Sequence, residues 1–133
     1  MPVTFEEAKK AMEAALVKSE EMGLAVTVAV LDEHADTVVL VRMDGNQGFR
    51  NNIAWGKAAV SALWGRSSAA VAERKNTPIL EAVNQYREGL VYWKGAMPIT
   101  SGDAVLGAVG VSGATSEQDE EIAMAAVAAI GGA

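Results

Sequence analysis

The stretch LAVTVAVLD, Leu24–Asp32, constrains the fold more than any other part of the chain. In an extended chain Val26, Val28 and Val30 fall on one side, and Ala25, Thr27 and Ala29 on the other. Neither side is charged, so this reads as a strand buried on both faces, bulky one way and small the other. Such a strand needs helices packed above and below it. The chain must therefore build a layered sandwich and not a sheet with one wet face.

The rest of the sequence supplies the layers. Thr4 and Glu7 form a T-x-x-E capping box, and Phe5, Ala8, Met12, Ala15, Leu16, Ser19 and Met22 share one helical stripe that Gly23 ends. This predicts a helix from about Thr4 to Met22. After the first strand, DEHAD is a polar turn into TVVLVRMD, which predicts a β-hairpin. GNQGFRNN reads as a loop, and IAWGKAAVSALWG, Ile53–Gly65, as a helix apolar nearly all round. RSSAAVAERK predicts a short helix capped by Ser67 or Ser68. NTPILEAVNQYRE predicts another, with Asn76 or Thr77 as cap and Pro78 at its first position.

Between Gly89 and Gly113 two or three more strands are expected, with the Ser101–Asp103 SGD as a hairpin turn. A last helix starts at Ser116, buries Ile122, Ala125, Ala126, Ala129 and Ile130, and ends at Gly131 before a fraying tail. Hairpins without β-α-β alternation imply an α+β fold on an antiparallel sheet.

Composition excludes several function classes. The 133 residues, half of them apolar, suffice for one domain over residues 1–133. Without cysteine there is no disulfide, thiolate nucleophile or Cys-based zinc site. A net charge of −6 argues against a nucleic-acid partner. No apolar run is long enough for a membrane span and the N-terminus is no signal peptide, so a cytoplasmic location is expected.

Gly107, Gly110 and Gly113 are spaced G-x-x-G-x-x-G, which is not a dinucleotide fingerprint. The first two sit inside a strand, where glycine marks close approach of another backbone. His34 is the single histidine and precludes a triad or multi-histidine metal site within one chain. Its plain reading is a solvated turn residue, and its sharper reading an axial ligand to a haem iron. Arg42, at a strand end beside a Gly-rich loop, either pairs with an acid or holds an anionic ligand. Lys57, within the apolar helix, must snorkel out or meet a carboxylate, and snorkelling is favoured. Desolvated in a pocket, it becomes a candidate base or anion anchor.

Ser116, followed by Glu117 and Asp119, reads as a helix cap with acids in the first turn. Gly113, Ala114 and Thr115 keep that helix start uncrowded, so its N–H groups are open to a carboxylate or propionate.

RMDG, KAAVSALWGR and the final GDAVLGAVGVSGATSEQDEEIAMAAVAAI resemble the GlcG/HbpS family of haem-binding or haem-degrading-type domains. That family is similar to the C-terminal domain of PduO-type corrinoid adenosyltransferases. The resemblance spans essentially the whole chain and is most specific in GVSG-x-T-x-EQDE. It implies a profilin-like three-layer α/β/α sandwich with an antiparallel five-stranded sheet, a homo-oligomer of two or more subunits, and haem or a related tetrapyrrole as ligand.

Under that reading His34 is the axial ligand, from the same or a neighbouring subunit, Arg42 holds a propionate, and Gly113, Thr115 and Ser116 line the site. Two alternatives stand beside it. One is a cofactor-free enzyme on a small organic acid or carbonyl compound, with Arg42 or Lys57 as anchor and Asp32, Asp44, Glu117 or Asp119 as base. The other is an oligomeric interaction module without a ligand.

Overall fold

The computed structural model describes residues 2–74 and 77–131. Elements follow in the order α1 (Phe5–Glu21), β1 (Thr27–Asp32), β2 (Thr37–Arg42), α2 (Arg50–Trp64), α3 (Ser68–Ala72), α4 (Pro78–Tyr86), β3 (Ala96–Ser101), β4 (Ala104–Ser112) and α5 (Ser116–Ala129).

The strands form an antiparallel sheet in the order β2-β1-β4-β3. Among the described residues it has four strands, not the five that the family resemblance implied. The apolar segment Leu90–Trp93 lies over α2 instead of extending the sheet. The Gly89 carbonyl and the Val91 side chain press on Gly56, where a Cβ would collide with both.

Both faces of β1 are buried, as its sequence requires. On one face Val26, Val28 and Val30 join Val109, Val111 and Ile99 under α1 and α5, whose Ala8, Ala11, Ala15, Ile122 and Ala126 complete that core. On the other, the small side chains Ala29 and Ala108 admit α2 through Ala54, Ala58 and Ala62. Gly110 lies in the same row, paired with Ala29 on β1 and with Ala96 on β3. A Cβ at Gly110 would strike the Ala54 carbonyl and the Ala58 backbone, so the strand glycine marks helix contact and not a phosphate loop.

The Thr4–Glu7 capping box is present, and Gly23 follows α1 with φ +70°. Ser67 caps α3, and Pro78 opens α4 after Thr77. Asn76, the alternative cap, lies outside the described residues, as do the last two residues of the tail.

At α5 the cap is Thr115, one residue before the expected Ser116. Its hydroxyl accepts from the Gln118 N–H (3.2 Å), and the Gln118 side chain returns to the Thr115 N–H (3.1 Å). Thr115→Ala is therefore expected to cost about 1 kcal/mol of stability and Ser116→Ala only a few tenths. Paired urea melts of the two variants check this.

Candidate functional site

The sheet register sets which candidate residues can meet. Thr27, at the start of β1, pairs with Arg42 on one side and Ser112 on the other, so Arg42 and the Gly113–Ser116 turn share one end of the sheet. Asp32 pairs with Gly107 at the opposite end, and the turn carrying His34 follows it. Five residues of strand separate the two ends, about 17 Å. His34 and Arg42 of one chain thus flank the sheet from opposite ends.

At the Arg42 end the side chains form a network. Arg42 Nη1 donates to the Asn46 carbonyl (2.7 Å), and Asn46 Nδ2 donates to Thr27 Oγ1 (2.8 Å) and the Ser112 carbonyl (3.3 Å). Gly113 has φ +130°, and its Cα faces the Asn46 amide so closely that a Cβ would meet it at 3.0 Å. Arg50, at the start of α2, donates to Ser112 Oγ (3.5 Å) and rests on the Phe49 ring, while its Nε is buried without a partner. Sequence reading placed Arg50 and Asn46 in a loop and gave them no role. Asp44, Thr115, Ser116 and Glu117 are exposed at this end.

Lys57 does not snorkel. It is 3% exposed, and its ammonium donates to Asp119 Oδ2 (3.0 Å) and the Val111 carbonyl (3.0 Å). Asp119, 2% exposed, also accepts from the Ala114 N–H through Oδ1 (3.1 Å). Gly95 roofs the pair, since a Cβ there would fall 2.7 Å from the Lys57 ammonium. Burial pushes the Asp119 carboxyl above the ordinary carboxylate range, opposed chiefly by Lys57 and also by the Ala114 N–H and Arg50. The two residues come from helices on opposite faces of the sheet. Sealed and mutually satisfied, they tie the two layers together around the end of β4.

At the other end, Asp32 Oδ1 accepts from the His34 and Asp36 N–H groups, at 2.9 and 3.1 Å, and shapes the turn. The His34 imidazole is 77% exposed, with Nε2 3.6 Å from Glu33.

Between the two ends, alongside β2 and the first turns of α2, runs an apolar groove of about 460 Å³. Leu40, Asn51, Asn52, Trp55, Glu88 and Gly89 line it. Leu40 pairs with Ala29, which packs on α2, so its side chain stands on the α2 side of the sheet. Arg42, two residues on, projects to the same side about 7 Å away. Toward the opposite end, the Arg87 guanidinium carbon lies 5.3 Å from the Trp55 ring, and its Nη1 donates to the His34 carbonyl (2.9 Å). The groove and its Arg87 rim went unread in the sequence, because the segment after α4 comes to β2 and the turn before it only through folding. None of the expected site residues is among those that line this groove, nor among those of a second hollow of about 530 Å³ near Glu7, Ser101 and Ile130.

An antiparallel sheet covered by helices on both faces, with an apolar groove beside its edge strand, defines an α+β sandwich. Residues 3–128 match the family described as haem degrading protein HbpS-like, and the chain belongs to that family. The crystal structure of a double mutant of Streptomyces reticuli HbpS is 31% identical, with a TM-score of 0.84 over 96% of this chain and 86% of that one. An uncharacterized 15.0 kDa protein of the dhaT-dhaS intergenic region of Citrobacter freundii is 30% identical over 94% of this chain and 89% of its own length. The crystal structure of a PduOC–haem complex superposes with a TM-score of 0.86 over 100% of this chain and 98% of that one. At 21% identity it shows the shared fold.

Proposed function

We propose that this protein binds haem or a related tetrapyrrole in the groove along β2, as a cytoplasmic homo-oligomer of two or more subunits and with a profilin-like arrangement of its layers. The observation that carries this is the groove itself. Its volume lies in the range of small-ligand pockets, and its floor is an apolar side chain beside an aromatic one, as a flat macrocycle requires. Membership of a family described by haem degradation supports the same ligand class.

The residues present fit the group. Leu40 and Trp55 offer the hydrophobic contact surface. Arg42 stands at one end with guanidinium nitrogens beyond the one bound to Asn46, suited to a propionate. His34 stands at the other with an exposed imidazole, its Nε2 3.6 Å from Glu33, and would hold the iron in this or a neighbouring subunit. The Gly113–Ser116 turn shares Arg42's end of the sheet across β1, and there Thr115 and Ser116 are exposed to a second carboxylate. Haem bound there would supply a redox-active iron, while the protein's own groups would set its orientation and its access to water.

The test is a spectroscopic haem titration of the purified protein. The wild type is expected to develop a shifted Soret band. Leu40→Asp is expected to weaken uptake at least tenfold, by placing a charge on the apolar floor. His34→Ala is expected to move the band. A wild-type spectrum equal to free haem rejects the ligand, and an unchanged spectrum in His34→Ala removes His34 from the iron.

A further inference from the structure

We infer that Arg87 is a positioning residue that holds the His34 turn in its working conformation and couples it to the wall of the groove. The inference deepens the haem reading and rests on it for the identity of the ligand.

Arg87 ends α4, with φ −136° and ψ 126° turning the chain into the Glu88–Gly89 wall. Its guanidinium makes a fork onto the turn. Nη1 donates to the His34 carbonyl (2.9 Å), and Nη2 to the Ala35 carbonyl (2.8 Å) and to Asp36 Oδ1 (3.4 Å). Its flat face rests on Trp55. One side chain thus touches the turn that carries the histidine and the ring that lines the groove, and leads directly into the groove's wall.

The turn requires such a clamp. Ala35 has φ +63°, a left-handed conformation that a residue with a Cβ adopts at a cost of roughly 1–2 kcal/mol. It is the only non-glycine residue with positive φ among the described residues, and it is fully buried. Asp32 fixes the turn's N–H groups from within, and Arg87 fixes its carbonyls from outside. The result is a rigid backbone bearing an exposed imidazole, which is what a preorganised ligand group needs. A structural role alone would be met by any residue packing on Trp55. The paired carbonyl contacts single out the arginine fork.

The test compares Arg87→Gln and Arg87→Lys with the wild type, first without haem and then in the titration. Both variants are expected to keep the wild-type far-UV circular dichroism. Amide hydrogen exchange over residues 33–36 is expected to rise at least tenfold in both, because lysine restores the charge without the fork. With haem, affinity is expected to fall about tenfold and the Soret band to move toward that of His34→Ala.

Unchanged exchange at the turn in Arg87→Gln overturns the inference, as does a full return to wild-type behaviour in Arg87→Lys. Haem uptake by the wild type with an unmoved Arg87→Gln spectrum overturns it too, while leaving the haem reading in place. No uptake by the wild type overturns the haem reading instead, and the exchange measurement alone then decides whether Arg87 holds the turn.

Discussion

Gly110→Val is expected to leave the protein largely unfolded, with a loss of more than about 4 kcal/mol against a total stability of roughly 5–15 kcal/mol. The added side chain would enter the seam between β4 and α2, where the Ala54 carbonyl and the Ala58 amide already lie against the glycine. These are backbone atoms of a helix and cannot turn aside as a flexible side chain would. Relief would require α2 to lift from the row Ala29–Gly110–Ala96, exposing the small-residue core beneath it.

Gly107→Ala probes the other strand glycine, whose Cβ would meet the Leu31 carbonyl and, at 3.1 Å, Val3. Its expected cost is smaller, about 1–3 kcal/mol, because alanine adds only the Cβ and not the two further methyl groups of valine, although the Leu31 carbonyl is backbone and Val3 is itself buried and bonded to the Leu106 carbonyl. Urea unfolding of both variants measures the difference. Equal, small losses would show that the helix seam is looser than its contacts indicate.

These glycines show how much of the fold was legible. Their place inside an apolar strand already pointed to backbone contact, and the two-faced pattern of β1 already required helices above and below. The cap at Thr4 was readable, and that of α3 narrowed to Ser67 or Ser68, because donor and acceptor lie within one turn of each other. Thr115 was misplaced by one residue because Thr115 and Ser116 both carry a hydroxyl suited to the cap. What decides between them is the reciprocal partner, Gln118, three residues after Thr115.

The site was less legible, for a physical reason. Arg42 and His34 are visible as types, and the strand between them already sets them at opposite ends of the hairpin, but which side chains of other strands join Arg42 depends on register. Arg87, Trp55 and Gly89 meet only because the segment after α4 lies over Gly56, a contact between distant parts of the chain. The fifth strand failed for the same reason. Leu90–Trp93 is apolar enough for a strand, yet α2 offers it a surface that the sheet edge does not.

Lys57→Met is expected to show the second large effect, and one that depends on pH. Sequence alone favoured a lysine reaching solvent, because its partner lies far away in the chain and on the other face of the sheet. Removing the ammonium leaves Asp119 buried with only the Ala114 N–H and the more distant Arg50 to favour its charge. Breaking a buried pair in this way costs about 3–5 kcal/mol.

The sign of the pH dependence follows from the carboxyl. Burial already raises Asp119 above its unfolded value, so the stability it contributes is complete below about pH 3.9 and declines as pH rises through the folded value. Losing Lys57 removes the strongest opposing pull and moves that decline to higher pH. Lys57→Met should therefore lie closest to wild type in acid, where Asp119 is protonated, and fall increasingly below it over the range from acid to neutral pH as the carboxyl loses its proton. Joining it with Asp119→Leu removes the charge that the single variant strands, and is expected to recover most of the loss. Chemical denaturation of the single and double variants across that range reads the outcome directly. A deficit that stays constant with pH would mean that Asp119 reaches water once its partner is gone, and that the layers are held together by packing alone.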